Sequence, residues 1–406
     1  MTSATNILVT AAGLGLLVFT FYDIYKTILR ATKRQGLLSE FLNRSLWRIA
    51  TSMTHSLNRR WRHRVLTSVG PLLMPLLIAI IVSMLITGFA LVYLPRIETD
   101  FNINERAGGG AIMQAFYFSG VTLLTIGYGD MVPVSGAMRL AAMIEAACGL
   151  GIISLSITYL LSVYGALERK RAVALTFYHQ ARQGADVSGF ITNHFARGHF
   201  YSLTETLRQS TRDLDELLES HLEHSVIHYF HPLEVYKGLP RALFIVLETT
   251  AVLNAHVSEK EYVEAGDHPD VLIASDSARH VLAELVTTLK LGERAGNPFE
   301  TEAETRQRRR NSFNRAWQRL QNAQIKTRSD VQRAFDEYSA DRDSWEKQLF
   351  HLADFLGYDW DEVTGDRSLD DATDNEVAER HEPLTADNPE ASPAAEAEAR
   401  EQIETS

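Results

Sequence analysis

At 406 residues the chain has room for more than one domain, and its 51 Asp and Glu against 40 Lys and Arg give a net charge of −11. A single cysteine, Cys148, excludes an intrachain disulfide framework. The mean hydropathy of −0.12 is that of an ordinary soluble protein, but it averages unlike parts. Most of the negative charge lies in residues 366–406, where 13 acids face three arginines, so the remainder is nearly neutral. That last segment is poor in large apolar residues and reads as an acidic, disordered tail.

In chain order, Ile7 to Tyr22 is apolar and closes with Asp23. It lacks a positively charged leader, so residues 1–29 are expected to hold a retained span rather than a cleaved signal peptide. Residues 30–69 form a basic linker: ten Lys and Arg and one acid, Glu40, lie between Lys26 and Arg64. Leu42, Leu46, Ile49, Met53 and Leu57, at steps of three and four, form one stripe of an amphipathic helix. With Arg44, Trp47 and Arg48 around it, that helix would lie on the inner membrane surface or pack on the soluble domain. Val65 to Pro95 has no charge over 31 residues, and Leu140 to Leu167 has only Glu145 over 28. Both exceed the roughly 20 residues that cross a bilayer. They predict an outer span over 71–94 and an inner span over 139–167.

The positive-inside bias places the basic linker in the cytoplasm and the N-terminus outside. Arg169, Lys170 and Arg171 follow the inner span, so its end is cytoplasmic too. Ala107 to Gly129 is uncharged for 23 residues, but a crossing there would export this basic cluster. The segment is therefore expected to dip into the membrane and return. Backbone that is not helical at that depth must be buried in protein or line a watery cavity. The first span has no arginine repeat at three-residue spacing, so a voltage sensor of the usual kind is not expected.

Within the re-entrant segment stands "TIGYGD", Thr125 to Asp130. Two glycines separated by one residue permit backbone angles closed to other residues, so that successive carbonyls can point one way. With its surroundings "AFYFSGVTLLTIGYGDMVP" and the two flanking spans, this stretch resembles the pore of potassium channels over roughly a quarter of the chain. The resemblance implies that the carbonyls of Thr125, Ile126, Gly127 and Tyr128, with the Thr125 hydroxyl, coordinate K+ as the permeant ion, and that Asp130 sits at the outer mouth. It implies a short pore helix at about 113–124 and a homotetramer, because such a pore needs four filters and the chain has one. Tyr117 and Phe118 stand where many relatives have two tryptophans, and Val121 where some carry an acid behind the filter.

Around the filter, the loop acids Glu98, Asp100 and Glu105 either attract cations or are simply solvated. Gly149 and Gly151 in the inner span are candidates for a gating hinge or for close helix packing. Ser154 and Thr158 share a face that would line a cavity below the filter, and Glu145, the one ionisable group of that span, would brace the pore helix.

Residues 168–365 read as an all-α cytoplasmic domain. Ser202 with Glu205 gives a capping signature for a long helix running from residue 203 to Pro232. Residues 239–253, with Arg241 and Glu248, are too short to span and predict a buried helix. Residues 329–358 predict one long helix capped by Ser329. His221, His224, His228 and His231 fall within about 80° on a continuous helix. They would form a polar face, a pH-sensitive face or, alternatively, a transition-metal site. The run Arg306 to Arg310 reads as a solvated helix face, not a nucleic-acid site. No nucleotide fingerprint, cofactor motif or catalytic signature is present, so an enzyme is not expected.

The sequence thus predicts an all-α membrane protein: a potassium-channel-like pore module (70–167) with an extra N-terminal span and a helical domain whose regulator is unidentified. Its expected partners are K+, the bilayer and copies of itself, with no nucleic acid. Its expected place is the cell membrane, the inner one in a Gram-negative source. The competing reading is a membrane-anchored sensor or signalling protein whose pore module does not conduct.

Overall fold

The structure is a computed structural model that describes residues 3–29, 36–54, 57–104, 109–181, 186–263, 266, 268–291 and 301–365. The acidic tail and Glu105 lie outside the described residues. Among the described residues the fold is helical, with two short antiparallel strand pairs.

α1 (Ser3–Ile24), continued by a π turn to Leu29, packs along α3 (Arg59–Tyr93). Close approach is possible because small residues meet: a Cβ on Gly13 would lie 2.7 Å from the Gly88 carbonyl oxygen, and one on Gly88 2.7 Å from Leu17. Between them α2 (Leu37–Thr54) turns aside. Its start is fixed by buried Asp23, which accepts the Leu38 N–H at 3.0 Å. The buried side of α2 is Ser39, Asn43, Trp47, Ala50 and Thr54, not the leucine stripe. Ile49, Met53 and Leu57 are exposed. Trp47 decides the docking, because its indole N–H donates to the Phe355 carbonyl at 2.9 Å and its ring meets Tyr229 and Phe355. α2 therefore packs on the C-terminal domain.

After α3, a 3-10 turn and α4 (Ile97–Asp100) lead to β1 (Phe101–Ile103). α5 (Ala111–Leu123) is too short to cross a bilayer at about 1.5 Å per residue. β2 (Met131–Pro133) returns antiparallel to β1, with Asn102 opposite Val132. α6 (Gly136–Gln180) follows, capped by the Ser135 side chain. With 45 residues it is about twice the thickness of a bilayer core, so its second half runs on into the C-terminal domain. Among the described residues, three helical stretches, Ala4–Leu29, Arg59–Asp100 and Gly136–Gln180, are long and apolar enough to span.

The C-terminal domain comprises α7 (Val187–Asn193), a hairpin of β3 (Phe195–Ala196) and β4 (His199–Phe200), α8 (Leu203–Glu223), α9 (Leu239–His256), α10 (Pro269–Thr288), α11 (Glu302–Asn322), α12 (Val331–Asp343), α13 (Glu346–Leu356) and α14 (Trp360–Thr364). α9 is the central helix, buried on every side as its apolar sequence requires. Its acid Glu248 is satisfied by the Tyr338 hydroxyl at 2.5 Å and Arg342 at 2.8 Å.

Three helix predictions need correction. Ser202 does not cap α8 with its side chain: it sits at φ 57°, fed by the tight turn at Arg197 and Gly198. The predicted long helix over 329–358 is two helices, α12 capped by Asp330 and α13, because Trp345 is buried at the break with its N–H on Asp341 at 3.0 Å. Of the arginines of 306–310 only Arg306 is exposed as on a solvated face. Arg309 is buried against Glu346, Arg308 reaches Glu346 at 3.2 Å, and Arg310 stacks over Phe335 at 3.4 Å.

Candidate functional site

The candidate site is the loop after α5. There Leu124 N–H bonds to Gly120 O, Thr125 N–H to Thr122 O and Ile126 N–H to Val121 O, at 2.9–3.0 Å. The chain then leaves the helix at Thr125, whose φ of 56° is unusual for a β-branched residue. Gly127 (φ 64°) and Gly129 (φ 73°) follow, so alternate residues of 125–129 are left-handed. A Cβ on either glycine would meet nothing within 4 Å, so the need for glycine is conformational rather than steric. Leu124 to Gly129 are exposed in the single chain, although α5 beneath them buries Ala115, Phe118, Ser119 and Leu123.

The far side of the loop is anchored. Asn104 N–H donates to Asp130 O at 3.0 Å and Val134 N–H to Asp100 O at 2.8 Å, extending the β1–β2 pairing. The Tyr117 hydroxyl donates to the Asp130 carboxylate at 2.8 Å. Sequence reasoning marked Tyr117 as a departure from relatives and missed this bond. Asp100 is held by Arg96 at 3.2 Å and Ser135 at 3.3 Å, while Glu98 is exposed.

Behind the loop, buried Glu145 of α6 meets the Tyr93 hydroxyl of α3 at 2.8 Å and the Ser119 hydroxyl of α5 at 2.5 Å. Ser119 also lies 3.0 Å from Ile86 O. One carboxyl therefore joins three helices. Four residues on, a Cβ at Gly149 would sit 1.9 Å from Leu123 O, so this glycine lets α6 cross the end of α5. Nothing lies within 4 Å of a Cβ at Gly151. Ser154 and Thr158 are exposed on α6, their hydroxyls returned to the Leu150 and Ser154 carbonyls.

The four histidines do not share a helix face, which corrects the sequence reading. α8 ends at Glu223, His224 is its extended cap, and Ser225–Tyr229 is a 3-10 turn. Beyond the helix end, Lys170 of α6 takes the carbonyls of Ile227 and Phe230, at 3.4 and 3.3 Å. All four rings are buried. His221 and His228 bond to each other through their Nδ1 atoms at 2.8 Å, and His231 bonds instead to His63 at 2.6 Å. Burial, with Lys170 nearby, pushes His228 down to about 3 and holds His221 and His231 well below the ordinary histidine range. Burial also lowers His224. Among the described residues no group of three or more His, Cys, Asp or Glu is placed to hold a metal, so the metal alternative falls with the shared face.

Comparison with known proteins addresses the loop and its two flanking helices. Residues 77–165 match the family described as ion channel. They form an ion-channel pore domain. The chain is 42% identical over 59 residues to the voltage-gated potassium channel Kch of Escherichia coli, covering 14% of this chain and 13% of that protein. It is 25% identical over 181 residues to the Shaker-related potassium channel tsha2 of Oncorhynchus mykiss, covering 43% and 33%. A longer match, 26% over 251 residues, covers 61% of this chain and 70% of an uncharacterized membrane protein of Bacillus subtilis, YdjJ. The chain thus spans a third or less of the two named channels. No solved structure matches it. Around the pore domain, α1 and the C-terminal domain lie outside the matched family residues.

Proposed function

We propose that this protein is a K+-selective channel that works as a homotetramer, with the N-terminus outside and the C-terminal domain in the cytoplasm. The observation that carries the proposal is the alternation of left-handed backbone at Thr125, Gly127 and Gly129 in a loop that the single chain leaves uncovered. Such alternation turns successive carbonyls to one side. Four loops around an axis then replace the hydration shell of a dehydrated K+ with the carbonyls of Thr125 to Tyr128 and the Thr125 hydroxyl. The permeant ion is the only cofactor this chemistry requires.

Supporting roles follow from position. Tyr117 steadies Asp130 at the outer mouth, and Glu145 ties the pore helix to both spans through Tyr93 and Ser119. Ser154 and Thr158, exposed on α6, offer hydroxyls to a water-filled cavity below the filter. Gly149 is occupied by packing against Leu123, which leaves Gly151 as the freer point for bending α6. The C-terminal domain grips both ends of the pore module, α3 near His63 and α6 at Lys170, and is placed to modulate opening. The basic linker before α3 and the cluster after residue 168 support its cytoplasmic side.

The test is ion flux from liposomes containing the purified protein. K+-loaded vesicles should release K+ down its gradient, and Na+ should substitute poorly. Absence of flux in a protein that remains tetrameric would replace the proposal with a membrane-anchored signalling protein.

A further inference from the structure

His63, in the first turns of α3, lies buried between two partners from distant parts of the chain. Its Nδ1 is 2.6 Å from His231 Nε2, and its Nε2 is 3.1 Å from Glu362 Oε1 in α14. The other ends of this row are fixed by groups with only one role. His231 Nδ1 lies 3.0 Å from the Leu356 carbonyl, which can only accept, so Nδ1 carries a proton and Nε2 is an acceptor. Glu362 Oε2 receives the Asp359 backbone N–H at 2.9 Å, which can only donate. His63 Nδ1 must therefore donate to His231, and a further proton must lie between His63 Nε2 and Glu362 Oε1. Three bonds in series need three protons, and the set Glu362, His63 and His231 is then neutral overall.

We propose that this proton row is a pH-sensitive joint that fastens α14, at the end of the C-terminal domain, to the start of the pore-forming helix α3. A neutral His63 beside an ionised Glu362 leaves one bond empty: either two lone pairs face each other at His231, or a lone pair faces the carboxylate. The joint is closed at lower pH and loosens as pH rises and the shared proton leaves. Glu362 does not lose its charge in the working range. Burial would raise it, but the His63 contact, the Asp359 N–H and Arg59 hold it below the ordinary carboxylate range. His231 stays neutral because burial and the nearby charges of His63 and Lys170 hold it well down.

The other groups around the row do not supply a substitute proton. On α3, Arg59 and Arg62 pair with Asp359 and Asp361 at 2.5–3.0 Å, in half-exposed bridges that contribute little by themselves, and Arg59 Nη1 stands 3.9 Å from Glu362 Oε1, beyond hydrogen-bond reach. From α9, Arg241 donates to the Glu362 backbone carbonyl at 2.8 Å. From α6, Lys170 is committed to backbone carbonyls. Tyr358 lies against both rings, 5.8 Å from His63 and 4.6 Å from His231, and burial pushes its hydroxyl up, out of range. Glu234, whose charge reaches Tyr358, is held by Lys237 at 2.9 Å.

The inference leans on the proposed function only for which compartment's pH is sensed, so its test does not use conduction. Hydrogen exchange at residues 360–364 is measured on the full-length protein in detergent across about pH 5–9, where histidines change charge, and corrected for the intrinsic rate. Protection should fall about tenfold or more between the acid and the alkaline end of that range. Glu362→Gln supplies amide protons that do not titrate and lets a neutral His63 keep both bonds, so protection should persist and become flat with pH. His63→Phe keeps a ring stacked on His231, now 4.9 Å away and 14° from parallel, but removes both bonds, so protection should be low throughout. A wild-type profile that is flat, or a Glu362→Gln profile that still follows the wild type, would overturn the joint.

Discussion

At the scale of single residues, the pore loop is governed by backbone angle. Gly127 and Gly129 have open space where a Cβ would go, yet sit at φ 64° and 73°. Gly129→Ala and Gly127→Asp should therefore abolish K+ flux through strain of about 1–3 kcal/mol per site, while the tetramer persists on size-exclusion chromatography. Unchanged K+ over Na+ selectivity in both would remove the filter assignment. Tyr117 acts through one bond, to Asp130. Tyr117→Phe removes that bond and should loosen the hold on Asp130 at the outer mouth. It should appear as faster loss of current during sustained opening. These glycines were legible in the sequence because their demand is local. The Tyr117 bond was not, because nothing in sequence fixes where a hydroxyl 13 residues before Asp130 will point.

Among the elements, legibility followed how far each depends on distant partners. The spans and buried α9 were readable from composition and length, since burial or membrane depth demands apolar residues whatever the neighbours, and the pore helix came from the resemblance of the stretch around it. The break after α8 was not. Lys170, 57 residues before Ile227, meets the non-α-helical backbone that follows the break. Likewise Arg309 and Arg310 look solvated until α12 and α13 bring Glu346 and Phe335 to them. The histidines, read as one face, are instead divided inside the fold: His221 with His228, His231 with His63, and His224 against Tyr159. That burial has a pH consequence. Burial holds His228 at about 3 and His256 at about 4 in the folded domain, while an unfolded histidine accepts its proton near pH 6.5. Their contribution is complete above about pH 6.5 and is lost as pH falls, by up to about 1.4 kcal/mol per pH unit for each. Thermal unfolding followed by tryptophan fluorescence should thus show a lower midpoint at about pH 5 than at about pH 7. Equal midpoints would contradict neutral, buried histidines. This acid-side loss is separate from the His63 joint, which loosens on the alkaline side.

For the whole molecule, a pore domain with recognisable relatives is clamped by a helical domain whose task the sequence does not spell out. The contacts joining them, Trp47 with Phe355 and His63 with His231 and Glu362, link residues roughly 170 to 310 positions apart and could be found only in three dimensions. The orientation rests on charge asymmetry. A membrane-impermeant label on a cysteine at position 3 should react from outside intact cells, and labels at positions 35 and 175 only after the membrane is opened. Protection of position 3 in intact cells would reverse the placement of α1. The central claim is selective conduction of K+, and it is tested most directly by the reversal potential of the purified protein in a planar bilayer with K+ on one side and Na+ on the other. A carbonyl-lined filter predicts a reversal potential far from zero, in the direction set by K+ leaving its compartment. A reversal potential near zero with robust current would mean a pore that does not distinguish the two ions, and would contradict the account.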